Sequence, residues 1–357
     1  MRSHAERWTE EQGPTMYVLH PGITIVSAPT RMEGLRRRWG TKGQAKFLLA
    51  RAHVQEQERR QGPAMPQKRT RGAVAQKPVV PAVQQQAAFE DYEVEDAIYQ
   101  DVVDVLEDEL QFGLPIRRVD RSFVPNYDFA LSQVVVVVGQ DGLVANTAKY
   151  VGNVPIVAIN PDPARIDGVL LPFQVKAARA IVRRVLDGKS KQRAVTLAEA
   201  SLNDSQRLLA FNDLFIGAAS HVSARYVLET ATASEPQSSS GIIVSTGAGS
   251  TGWMSSVFNM AQGLAQFQGQ DAVPRPALAW EDRRLIWSVR EPFVSKRSQA
   301  NLVAGWIDDA SELVIESLMP DGGVIFSDGI ESDFLPFASG TIARVRVSAQ
   351  RAHLVVG

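Results

Sequence analysis

Cysteine is absent from this 357-residue chain, which removes disulfides, thiolate metal sites and cysteine nucleophiles together. No apolar stretch approaches the roughly 20 residues that span a bilayer, and residues Met1 to Gln12 are polar and charged. A soluble, cytoplasmic protein is therefore expected. The formal net charge of −1 leaves the whole molecule no electrostatic reason to seek nucleic acid or an acidic membrane. His4, His20, His53, His221 and His353 are scattered without metal-ligand spacing, so none is a candidate ligand or base, and no metal-binding residues are assigned. There is no Gly-Lys-Ser/Thr phosphate loop, no Gly-x-Gly-x-x-Gly after a first strand and no internal repeat of fixed period.

What is present suits a globular chain of two domains, at about 100 to 200 residues each, with 45% hydrophobic content to fill their cores. Arg31, Arg36, Arg37, Arg38, Lys42, Lys46 and Arg51 make residues 1–54 basic, with a strand at Ile23 to Ser27 and a helical stretch after it. Such a run is either a solvated helix face or an attractor of polyphosphate. Residues 55–88 turn to Gln, Pro, Lys and Arg and read as a flexible linker. Order is expected near Phe89, where Ile98, Val102, Val105, Leu106 and Leu110 take helical spacing and acidic residues fill the rest.

Residues 89–190 carry a βαβ pattern, and its centre is Val134-Val-Val-Val-Val-Gly-Gln-Asp-Gly-Leu143. Five consecutive β-branched residues read as a strand buried on both faces of a parallel sheet. At its carboxyl end Gly139 and Gly142 let backbone amides approach a ligand while Asp141 adds one carboxylate, in the place where open α/β sheets bind nucleotides. A short helix at Leu143 to Tyr150, a strand at Val154 to Ile159 ending on Asn160, and a helix at Gln174 to Leu186 follow. Residues 191–345 change texture to short β-branched or alternating runs, among them Leu208 to Ile216, and read as an antiparallel β-rich domain. The tail, 346–357, is free to return to the first domain.

Inside that half lies Ser240-Gly-Ile-Ile-Val-Ser-Thr-Gly-Ala-Gly-Ser-Thr-Gly-Trp253, a strand running into a glycine and hydroxyl loop and then a helix. The loop is either a structural turn or a ligand cradle, since glycines admit close approach and free helix-start amides favour anions. Taken with the first motif, and with Asn212-Asp213 between them, it resembles the NAD kinase family of the wider superfamily that includes diacylglycerol and sphingosine kinases. The matching runs are Gly139-Gln-Asp-Gly-Leu143, Asn212-Asp213, Thr246-Gly-Ala-Gly-Ser-Thr-Gly-Trp253 and Phe326-Ser-Asp-Gly329, and the likeness covers about residues 115 to 348.

The resemblance implies an N-terminal Rossmann-like α/β domain with a C-terminal antiparallel β-sandwich, and a phosphotransferase making NADP from NAD with ATP and Mg²⁺. It implies Asp141 as the base or orienting acid at the ribose 2′-hydroxyl. By the same matching Gly139, Gly142 and Asn160 lie at the nucleotide, and Asn212 and Asp213 hold the adenine and ribose side. Ser245, Thr246, Gly249, Ser250 and Thr251 line the pocket, with Trp253, Ser256 and Asp328 beside it. The expected partners are small nucleotides and a second or fourth copy of the chain, as homodimer or homotetramer. Departures are Gln140 for a glycine, Leu143 for a threonine, Gly247 and Ala248 for proline and threonine, and Ser240 for an acid. They keep two alternatives open: a kinase of another hydroxyl, on a lipid or other nucleotide, and a non-catalytic nucleotide sensor.

Overall fold

The computed structural model describes residues 21–48, 51, 82–271 and 275–357, with side chains of 82–88 left aside. Of the expected linker over 55–88, residues 55–81 therefore lie outside the described residues, as do 1–20, 49–50 and 52–54 of the basic segment, while 82–88 are helical. The chain opens with β1 (Gly22–Ser27), α1 (Arg31–Trp39), α2 (Ala82–Glu109), β2 (Ile116–Asp120), β3 (Ser132–Val138), α3 (Asp141–Ala148), β4 (Ile156–Asn160), β5 (Phe173–Gln174) and α4 (Ala178–Leu186). β1 pairs in parallel with β2 and β3, and β3 with β4. Val134 to Val138 are all fully buried. Val134, Val136 and Val138 face α2 and α4, while Val135 and Val137 face α3. That two-sided burial is why the run lacks any polar alternation.

α2 begins at Ala82, ahead of the expected Phe89, and Val103 rather than Val105 packs on the sheet. Its acidic face meets the basic α1 and the residues after it: Arg36 pairs with Asp96 at 3.5 Å and Lys42 with Glu93 at 2.6 Å. The charge asymmetry of the sequence is thus largely an internal pairing. A Thr30 capping box fixes the start of α1, and the Thr30 hydroxyl also bonds Asp96 at 2.5 Å.

The second half is β6 (Lys191–Leu202), β7 (Arg207–Ala210), β8 (Asp213–Ala218), β9 (Ala224–Glu229), β10 (Ser234–Ser239), β11 (Ile242–Ser245), α5 (Trp253–Phe267), β12 (Arg284–Val289), β13 (Ala304–Asp308), β14 (Leu313–Ser317), β15 (Gly323–Ser327), β16 (Ile330–Pro336) and β17 (Ile342–Val356). Six strands form an antiparallel sheet in the order β13-β12-β11-β8-β15-β16. It packs against β6, β9, β14 and β17 over a core that includes Tyr226, Leu214, Ile242, Trp287 and Ile315. The long β17 runs antiparallel to β6 and places Leu354 parallel to Ile156 of β4, so one mixed sheet of eleven strands continues from the α/β layer into the sandwich. The fold is an α/β layer joined to an antiparallel β-sandwich.

The expected single run Leu208 to Ile216 is broken into β7 and β8 at Phe211-Asn212. β10, β13 and β16 carry no apolar alternation to announce them. In β10 the inward residues are Glu235, Gln237 and Ser239, and Glu235 is satisfied by the Asn301 and Leu302 amides at 3.0 and 2.8 Å. Among the described residues no helix is long and apolar enough to cross a membrane.

Candidate functional site

Two clefts flank the β15–β16 hairpin. The first, about 410 Å³, lies at the carboxyl ends of the parallel strands and is lined by Gly139, Gln140, Gly142, Tyr99, Asp328 and Gly329, with Arg31, Arg121 and Arg165 around them. Its floor follows from the sequence. β3 gives way at Val138 to Gly139, whose φ of +152° is open to glycine, and α3 starts two residues later with no side-chain cap on its amides. The Tyr99 hydroxyl accepts from the Ala28 amide and donates to the Val138 carbonyl, both at 2.9 Å, tying the ends of β1 and β3. Burial pushes its pKa up to about 12, so it stays a neutral donor.

Asp141 does not line this cleft. Its Oδ1 and Oδ2 accept from the amides of Leu170 and Val169 at 2.8 and 3.1 Å, anchoring the loop after β4. Asn160 shapes the same loop, donating to Ile166 O at 2.9 Å and accepting from the Asp162 amide at 3.0 Å. Leu143 is buried, with its Cδ2 close against Gly139.

Asp328 is the joint between the motifs. It sits on the β15–β16 turn with φ +53°, and its carboxylate accepts from the amides of Phe211, Asn212 and Asp213 at 3.1, 2.6 and 3.3 Å. Lys149, at the end of α3, lies 3.8 Å from it and donates to Ser327 Oγ at 2.8 Å, with both charged side chains only 1% exposed. Burial pushes the Asp328 carboxyl up and the Lys149 ammonium down, and each partner pulls the other back toward its charged form. Tyr150 donates to Asp333, giving α3 a second bond to the hairpin.

The glycine and hydroxyl loop closes on Phe211 and Asn212, the same residues from whose amides Asp328 accepts. Thr246 Oγ1 donates to Phe211 O at 2.6 Å and accepts from the Gly249 amide at 3.2 Å, and the Thr246 amide donates to Asn212 O. A Cβ on Gly249 would sit 2.2 Å from the Asn212 carbonyl oxygen, so that glycine serves close packing of two loops. Ser245 is fully buried beside Asp213, and Ser250 donates back to Gly247 O at 2.8 Å. Burial pushes the Asp213 carboxyl up to about 7 against the pull of the Ser245 hydroxyl, with Asp328 adding repulsion, and its Oδ1 has no partner among the described residues.

The second cleft, about 840 Å³, opens on the outer face of the six-stranded sheet. Trp253 and Phe215 stack there at 5.7 Å and 11°, Phe326 stacks on Phe215 at 4.8 Å, and Arg290 lies 5.5 Å over the Trp253 ring. Of the candidate residues, Gly139, Gly142 and Asp328 line the first cleft and Trp253 the second. Asn212, Asp213, Ser245, Thr246 and Gly249 form the buried joint. Thr251 and Ser256 are exposed and line neither cleft. Sequence reasoning missed Tyr99, Arg121, Arg165 and Lys149. Only Lys149 left a trace, as a lone cation in the apolar stretch from Leu143 to Val151.

No family model and no curated protein matches the sequence. Among solved structures the fold is similar to that of the yeast NADH kinase complexed with NADH, with a TM-score of 0.51 and 14% identity over 97% of this chain and 88% of that one. An NAD kinase from Archaeoglobus fulgidus in complex with ATP aligns at a TM-score of 0.49 and 15% identity, over 71% of this chain and 89% of that one. At this identity the first likeness establishes a shared fold.

Proposed function

We propose that this chain is a phosphotransferase of the NAD kinase kind, moving a phosphoryl group from ATP or another polyphosphate donor to the 2′-hydroxyl of the adenosine ribose of NAD. One observation carries the reading. The Gly139–Gly142 strand end, the Asp328–Gly329 turn and three guanidiniums meet around one cleft at the strand carboxyl ends, where open α/β sheets hold nucleotide phosphates. The volume of about 410 Å³ falls in the usual range for a small-molecule site. The NADH bound by the yeast enzyme of similar fold supports a dinucleotide as acceptor.

The chain's own residues supply positioning and charge, which is most of what phosphoryl transfer needs. Arg31, Arg121 and Arg165 and the uncapped start of α3 would hold the donor phosphates. Mg²⁺, when bound, would enter on the nucleotide and neutralise its phosphate charge. Each Asp141 oxygen accepts one loop amide and keeps a further lone pair, so the carboxylate is able to orient an acceptor hydroxyl from a fixed position. The Trp253–Phe215–Phe326 slab offers a planar ring a stacking surface with Arg290 beside it.

A non-catalytic nucleotide sensor is the second reading, favoured by Asp141 lying off the cleft lining and by Leu143 being buried at the family's hydroxyl position. The deciding assay incubates the full chain with NAD, Mg²⁺ and either ATP or tripolyphosphate and measures NADP. The expected result is NADP formation that falls by about 100-fold or more in Asp141→Asn. Dinucleotide binding without NADP from either donor would sink the phosphotransferase and leave the sensor. Undiminished turnover by Asp141→Asn would remove that residue from the reaction.

A further inference from the structure

Ion pairs hold two of the arginines that line the first cleft. Arg31, the first residue of α1, pairs with Glu95 and lies 3.8 Å from Asp91, both on α2, with the Tyr92 ring 4.4 Å beneath its guanidinium. Arg165, on the loop after β4, pairs with the other Asp91 oxygen at 2.9 Å and with Asp162 at 3.6 Å. Asp91 is therefore shared by two arginines that come from opposite sides of the cleft. Arg121 lines the same cleft, and no carboxylate of the described residues is paired with it.

We propose that Asp91 and Glu95 are a latch that holds Arg31 and Arg165 at the cleft mouth until the phosphate chain of a polyphosphate ligand takes over their guanidiniums. The inference rests on reading this cleft as a site for nucleotide phosphates and adds how that site is regulated. The latch is weak by construction. The Arg31, Asp91 and Arg165 side chains are 56%, 45% and 36% exposed and Glu95 25%, so water and salt screen these pairs, the Asp91 ones more than the Arg31–Glu95 one. Phosphate oxygens carry more charge and match the planar fork in two-point contacts, so they outcompete a carboxylate for the same guanidinium. A chain of three phosphates reaches several guanidiniums at once, whereas a single phosphate meets one, so release favours polyphosphates. Glu93 lies on the same helix, but its partner is Lys42, outside the cleft lining.

Titration calorimetry on the full chain tests this, using inorganic tripolyphosphate, ATP and AMP as probes with wild type, Glu95→Gln, Asp91→Asn, Arg165→Gln and Glu93→Gln. Removing a latch carboxylate tightens tripolyphosphate binding by about two- to five-fold. Arg165→Gln weakens it roughly ten-fold, Glu93→Gln leaves it unchanged, and AMP, which meets one guanidinium, gains less than about two-fold from removing either latch carboxylate. The same pattern with ATP at higher affinity identifies a nucleoside triphosphate as the source, and the pattern with tripolyphosphate alone identifies an inorganic chain. Weaker binding in Glu95→Gln and Asp91→Asn, equal tightening in Glu93→Gln, or no tripolyphosphate binding overturns the latch. The expected pattern without NADP formation keeps the latch and sinks the phosphotransferase, while NADP formation without the pattern sinks the latch alone.

Discussion

Replacing Lys149 by methionine tests whether one buried ion pair holds the two halves of the site together. The Lys149 and Asp328 side chains are each 1% exposed and 3.8 Å apart, and Lys149 is also the donor to Ser327 Oγ. Methionine keeps the volume of the stem and removes the charge, leaving Asp328 buried with only the three amides of Phe211, Asn212 and Asp213. Breaking a buried pair on one side costs about 3–5 kcal/mol, and Asp328→Asn, which strands the ammonium instead, belongs to the same range. The double variant loses both charges. It keeps acceptors for two of the amides and leaves a donor facing Phe211 N, a loss of about 1–3 kcal/mol. Urea denaturation of the four proteins should therefore find the double variant more stable than either single one. Single losses below about 1 kcal/mol, or a double loss equal to the sum of the singles, would refute a mutually dependent pair.

The Asp213 carboxyl, raised from 3.8 to about 7, keeps its proton in the folded state where the unfolded chain has lost it. Stability should therefore fall as pH rises from about 4 to 7, by roughly 4 kcal/mol in all. Asp213→Asn should flatten that slope and be the more stable protein at pH 8, as read from thermal midpoints; parallel pH profiles of the two proteins would contradict the raised carboxyl. Gly249→Ala, whose Cβ would meet Asn212 O at 2.2 Å, should lose at least about 2 kcal/mol. Gly142→Ala, with open space around its Cβ and a place in the first turn of α3, should hold wild-type stability or gain up to about 1 kcal/mol, and equal behaviour of the two in chemical denaturation would refute the close-packing role of Gly249.

Local pattern carried far along this chain. The buried strand Val134 to Val138, its end on Gly139, the turn at Asn160 and the loop entered from β11 are all set by short-range features: β-branched runs, prolines, and glycines at strand ends. They stay legible because backbone sterics and two-sided burial act within a few residues of sequence. β10 was illegible because its inward residues are polar and find their partners about sixty-five positions away, on Asn301 and Leu302. The sequence by itself determined the two-part architecture and the four short runs that meet in it. Only the tertiary structure decided what those motifs do to one another. It turned Asp141 toward the Val169 and Leu170 amides, set Gly249 against Asn212, buried Lys149 on Asp328 and brought Arg31 and Arg165 onto a shared Asp91. Each of these is a contact between segments at least 28 positions apart in the chain, the Lys149–Asp328 pair crosses from the α/β layer to the sandwich, and no local periodicity records any of them.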